Sequence, residues 1–203
     1  LIPVLLLLLL FAGCGTPFRV PDQVRMPVGG PHGRADDPTI SVIASILTDE
    51  DEMLNLFRAN MRLARLLPVY VEMKNNDDFS VELRRIRIEA DDSTGTRFAY
   101  LESKQVITRL YDYYGIRFYP TNPRKEFEAR FKQIGFDWSR PLTAGENRRG
   151  YVFFELPRDY QPTAPLDHFT ITFSRMRAAG GEEKSLKLVI SPATRGVEPT
   201  SAE

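Results

Sequence analysis

The sequence predicts an antiparallel β-sandwich carrying short helical insertions, and three observations lead there. Short stretches alternate apolar and polar side chains, the mark of strands with one buried face. Turn-forming clusters such as Asn75-Asn76-Asp77-Asp78 and Asp91-Asp92-Ser93-Thr94-Gly95 separate them. The order of elements also lacks the regular strand–helix alternation that a parallel sheet requires. About seven strands are expected, with helices inserted at residues 48–60 and 103–135.

Taken in order, residues 39–46 place Ile40, Val42, Ala44 and Ile46 on one side of a strand. Thr48 then caps a short helix whose first turn carries Asp49, Glu50, Asp51 and Glu52, and whose apolar stripe is Met53, Leu54, Phe57 and Met61. This acidic run lacks the glycine and distal glutamate of a calcium loop, so capping is its role. Residues 66–75 form the clearest strand, with Val69, Val71 and Met73 facing one way and Tyr70, Glu72 and Lys74 the other. Strands follow over 82–90 and 96–101. A helix begins at Ser103, repeats Val106, Ile107, Leu110, Tyr111 and Tyr114 at helical spacing, and ends at Gly115. A second, capped by Asn122-Pro123, buries Phe127, Phe131 and Ile134. Three more strands cover 151–156, the alternation of Phe169, Ile171 and Phe173, and that of Leu186, Leu188 and Ile190. Gly180-Gly181 forms the hairpin between the last two.

Composition bounds the function. The chain has 203 residues, 42% hydrophobic and 27% charged, enough for one domain with a real core. Its 27 acidic residues balance 27 basic ones, which removes the electrostatic case for nucleic acid. One cysteine, Cys14, forbids an internal disulfide.

That cysteine ends a leader. Leu5 to Leu10 are an unbroken leucine run, followed by Phe11-Ala12-Gly13-Cys14. The stretch is too short to span a bilayer and stops at small residues, as a cleaved signal segment does. Phe11-Ala12-Gly13-Cys14 resembles the bacterial lipobox, with Phe11 standing in place of the usual leucine. The resemblance implies cleavage between Gly13 and Cys14 and acylation of Cys14, anchoring the chain in the bacterial cell envelope, with the outer membrane favoured and the domain facing the periplasm. Two or more acyl chains hold stably, at about 0.8 kcal/mol per buried methylene. No initiator methionine or basic region precedes the leucines, so the leader is expected to extend upstream of Leu1. The expected organisation is a signal segment over 1–13, a flexible Pro/Gly tether over 14–38, a sandwich over 39–190 and a ragged tail over 191–203.

Two strand sequences carry a further resemblance. Leu67-Pro68-Val69-Tyr70-Val71-Glu72-Met73-Lys74-Asn75 and Gly150-Tyr151-Val152-Phe153-Phe154-Glu155-Leu156-Pro157 look like strands of Ig-like domains in uncharacterised bacterial lipoproteins. The resemblance implies an Ig-like fold and an envelope address, and no chemistry.

The search for catalytic equipment yields little. The two histidines are His32, in the tether with no second ligand near it, and His168, beside Asp167 at a strand start. No serine sits in a Gly-x-Ser-x-Gly elbow, and neighbouring Asp and His in a strand point to opposite faces. No catalytic residue, metal site or cofactor is assigned, although a spatial pair of carboxylates remains open. Two functional classes stand. One is a non-catalytic envelope interaction or structural module, with Arg84, Arg85, Arg87, Arg148 and Arg149 helping to dock an acidic partner protein. The other is a binder of small molecules, lipids or glycans, using a groove formed by Tyr111, Tyr114, Phe118 and Tyr119. An exposed aromatic groove favours the second, a flat apolar patch the first.

Overall fold

The computed structural model describes residues 18–115, 124–160, 166, 168–178 and 181–191. Two antiparallel sheets form its framework. The first holds β1 (His32–Asp36), β2 (Ile40–Ile46), β3 (Leu66–Asn75), β7 (Asn147–Glu155) and β6 (Tyr100–Leu101), in the order β1-β2-β3-β7-β6. The second holds β4 (Arg87–Asp91), β5 (Arg97–Phe98), β8 (Phe169–Arg177) and β9 (Glu183–Ile190), in the order β5-β4-β8-β9. The expected mainly β architecture of paired antiparallel sheets is therefore present, with nine strands among the described residues.

Because side chains alternate along a strand, each residue pair of the central strands serves one of two cores. Val69 pairs with Val152 and points inward, toward Ile88, Phe98, Ile171, Phe173 and Leu188 of the second sheet. The next pair, Tyr70 and Tyr151, points outward. There it meets a layer of helices: α1 (Glu50–Phe57), α2 (Ser103–Tyr114) and α3 (Arg124–Ile134). Phe57, Val106, Leu110, Phe127 and Phe131 cover Leu66, Tyr70, Tyr151 and Phe153. The helical insertions, between β2 and β3 and between β6 and β7, thus pack together as a third layer. This double coverage explains why β7 is almost continuously apolar over residues 150–154. Each fully buried Phe or Leu contributes roughly 1.5–3 kcal/mol relative to exposure.

Local signals account for the helix ends. Asp49, one residue beyond the expected Thr48, caps α1 by accepting from Glu52 N–H at 2.7 Å. Arg58 ends that helix in the left-handed conformation, so Met61 falls in a 3-10 turn (Met61–Ala64) rather than in α1. At α2, Gln105 Oε1 accepts from Glu102 N–H at 2.8 Å, and Gly115 (φ 58°) closes the helix.

Three expectations are corrected. Residues 18–38 are packed chain rather than free tether. Phe18 is buried, stacking on Phe57 at 6.0 Å and edge-on to Phe127 at 5.6 Å. Tyr151 Oη donates to Arg25 O at 2.7 Å, and β1 adds to β2 through a full register. The prolines break helical and strand periods, but isolated apolar residues between them still find slots in the helix layer. Gly33 lets β1 approach β9, since a Cβ there would lie 2.2 Å from Val189 O.

The segment 96–101 does not form one strand. β5 joins the second sheet and β6 the first, so the chain crosses between sheets at Ala99. In the segment 82–90, only Arg87 onward is β-strand. Glu82 forms an isolated bridge to Arg177, because the intervening residues turn.

Candidate functional site

The two sheets close against each other at the β1–β9 side, where His32 bridges to Ser191. On the opposite side the edge strands are β5 and β6, joined through Ala99. There the chain leaving α3 runs beside β7, with Phe136 N–H donating to Tyr151 O at 3.0 Å and Gly135 bridged to Tyr151. Gly150 permits this approach: a Cβ on it would lie 2.4 Å from the Phe136 backbone. Between this chain and the start of β4 lies a groove of about 1010 Å³.

Aromatic and aliphatic surface forms its floor. Phe136 and Trp138 stack at 4.0 Å with planes 29° apart, and Trp138 in turn lies 6.1 Å from Phe173 of the inner core. Ile86, Ile88 and Tyr100 continue the floor. Burial pushes the Tyr100 phenol above its ordinary value, and the adjacent Trp138 side chain acts the other way. The rim is cationic: Lys104 comes from the start of α2, Lys132 from the end of α3, and Arg149 from β7. All three are exposed and make no ion pair among the described residues.

Arg148 holds the groove's lower wall together. Only 5% exposed, it spans the loop that carries Trp138. Its Nη1 donates to Asp137 O at 2.7 Å and Arg140 O at 3.0 Å, and its Nη2 to Pro141 O at 2.6 Å. Its Nε donates to Glu146 Oε1 at 3.0 Å. Burial works to raise the Glu146 carboxyl, but Thr143 N–H, Arg148, the Thr143 hydroxyl and Arg140 hold it at about 2. Asp137 is lowered too, first by the Ser139 hydroxyl, which donates to it at 2.6 Å. Arg148 is therefore spent internally and is not the docking residue suggested by its place beside Arg149.

Of the tyrosine groove expected on the helical segment, Tyr111 and Tyr114 are among the described residues, both half-buried. Tyr111 packs against Phe127 at 5.6 Å, with the Arg124 guanidinium 4.9 Å over its ring. Tyr114 donates from Oη to Asn60 O at 2.7 Å, and burial raises its phenol to about 12. Both tie the helix layer together. Phe118 and Tyr119 lie outside the described residues, as do Gly13, Cys14 and Asp167. His168 is exposed, in the left-handed conformation (φ 52°), just before β8 rather than within it. His32 starts β1 near Gly30 O.

Sequence reasoning missed Phe136 and Trp138. A signal was present: the chain's one tryptophan lies in the polar stretch Asp137-Trp138-Ser139-Arg140 between Gly135 and Pro141, outside any apolar period. Among the described residues, no three His, Cys, Asp or Glu side chains gather as a metal site, and no helix is long and apolar enough to cross a membrane. The chain matches no known family model, no curated protein and no solved structure with which it was compared.

Proposed function

We propose that this protein is a lipid-anchored binding module of the bacterial envelope, whose sandwich-edge groove captures a glycan or small molecule bearing negative charge. The anchor is the acyl-modified Cys14 expected from the lipobox resemblance, after removal of residues 1–13 as a signal segment. The sandwich is of Ig-like type. Its strand order supports this: β2-β3-β7-β6 against β5-β4-β8-β9 follows the A-B-E-D and C′-C-F-G arrangement of Ig domains.

One observation carries the functional reading. The Phe136–Trp138 stack floors a groove of about 1010 Å³ whose rim holds Lys104 and Lys132, which make no ion pair among the described residues, and Arg149, whose charge also acts on Glu72 across the strand pair. Aromatic faces receive the apolar face of a sugar or ring, and cations fix a carboxylate or phosphate at its edge. The concave, aromatic shape favours such a ligand over a flat protein interface. Of the two carboxylates that line the groove, Asp137 is engaged by Ser139 and Arg140, and Glu102 stands at the start of α2 beside Lys104.

The test is native mass spectrometry of the protein extracted from its own membrane. A co-purified anionic glycan or small molecule, absent from Trp138→Ala, supports the reading. Recovery of only a stoichiometric partner protein overturns it.

A further inference from the structure

A second concave site lies where two breaks in regular structure face each other at one end of the second sheet. The turn over residues 83–86 is closed by Ile86 N–H donating to Leu83 O at 2.9 Å, with Arg84 and Arg85 at its central positions. Opposite, the register of β8 against β9 slips between Phe173 and Met176, inserting one extra residue into β8. Arg175 takes the left-handed conformation there (φ 61°), which is costly for a residue with a Cβ.

That bulge decides where the arginines go. With uninterrupted alternation after Phe173, Arg175 and Arg177 would face the core and Met176 would face solvent. The extra residue reverses the phase: Met176 is buried, and Arg175 and Arg177 are both exposed. Arg84, Arg85, Arg175 and Arg177 thus line a cleft of about 230 Å³, with Glu82 as the carboxylate on its wall.

None of these four arginines makes an ion pair among the described residues. Several other arginines do: Arg87 pairs with Glu89, Arg109 with Glu155, and Arg124 with Glu128. Arg84 Nε donates to Ser139 O at 3.3 Å, and like charges gathered around one cleft with one carboxylate favour entry of an anion, in a chain whose overall formal charge is zero. A carboxylate brings one negative charge. A phosphate ester brings nearly two and presents oxygens in the geometry of the guanidinium fork.

We propose that the Arg84–Arg85–Arg175–Arg177 cleft is a binding site for phosphate groups, carried either by an anionic lipid headgroup or by a soluble phosphate ester. Arg84 borders both this cleft and the groove, but Arg85, Arg175 and Arg177 line the cleft and not the groove, so variants of Arg85 and Arg175 test this site apart from the groove reading.

The experiment is calorimetric titration of the full chain with pyrophosphate in phosphate-free buffer, paired with flotation on phosphatidylglycerol and on neutral phosphatidylcholine vesicles. Saturable pyrophosphate binding is expected, weakened at least tenfold in the double variant Arg85→Gln/Arg175→Gln and unchanged in Arg97→Gln. All four side chains involved are exposed, and thermal melts confirm that the variants fold. Phosphatidylglycerol binding in excess of phosphatidylcholine binding, lost in the double variant, assigns the source to lipid; pyrophosphate binding without that excess assigns it to a soluble ester. Absence of saturable pyrophosphate binding overturns the proposal, as does an equal loss in Arg97→Gln.

Discussion

At the carboxyl of Glu146, 16% exposed, burial opposes ionisation while Thr143, Arg148 and Arg140 all donate to it. The folded pKa, about 2, lies below the unfolded value of roughly 4.3. A lowered carboxyl contributes stability that is present above the unfolded value and lost as pH falls toward the folded one. The window is therefore about pH 4.3 down to about pH 2, and the contribution is on the order of 3 kcal/mol. Urea titrations should show Glu146→Gln about 2–3 kcal/mol less stable than wild type at pH 7, with the gap closing near pH 2. Arg148 gives a companion prediction at neutral pH. Arg148→Met removes the donor to three carbonyls and one carboxylate and should cost about 3–5 kcal/mol by chemical denaturation.

At the scale of elements, the groove depends on how α2, α3 and the chain after α3 meet the edge of β7. Gly150→Ala places a Cβ against the Phe136 backbone, so the wall carrying Trp138 has to move. Overpacking of that kind costs about 1–3 kcal/mol, read as a lowered melting temperature and a shifted Trp138 emission. Lys104 and Lys132 come from two different helices onto one rim. Lys104→Gln/Lys132→Gln should therefore leave stability unchanged and weaken an anionic groove ligand about tenfold, on the order of 1.4 kcal/mol, by titration. Legibility in the sequence differs sharply among these elements. The strand over 66–75 and the helix over 103–114 are both readable, because each has a strong period and the helix has a glycine stop. The groove is not, because its floor comes from Ile86, Ile88, Tyr100, Phe136 and Trp138, distant in sequence and brought together only by the fold. Tyr111 and Tyr114 of α2 share helical spacing for the ordinary reason that they pack against a second core.

Across the whole molecule, the three layers share one central sheet, so β3 and β7 carry both cores. Paired antiparallel sheets were legible from alternation and turns. The helix layer was not, since a sequence shows that a helix has an apolar face but not which sheet face receives it. The packed segment 18–38 was masked by its prolines and glycines, whose breaking of periodicity says nothing about burial of Phe18 or Val20. The seam opposite the groove rests on Gly33 against Val189, so Gly33→Ala should lower stability by about 1–3 kcal/mol and speed hydrogen exchange in β1. The proposed anchor makes its own prediction: Cys14→Ser should move the protein from the membrane fraction to the soluble one.

The central claim is that the groove holds an anionic ligand against Trp138. Trp138 is the chain's one tryptophan, so emission excited at wavelengths that spare the eight tyrosines reports on that floor. Titration with carboxylated or phosphorylated glycan fragments of a bacterial envelope should give a saturable change in Trp138 emission, with neutral fragments far weaker and Lys104→Gln/Lys132→Gln shifting the midpoint about tenfold. An emission that stays constant across charged and neutral fragments alike, or a midpoint unaffected by the lysine variants, would contradict the account.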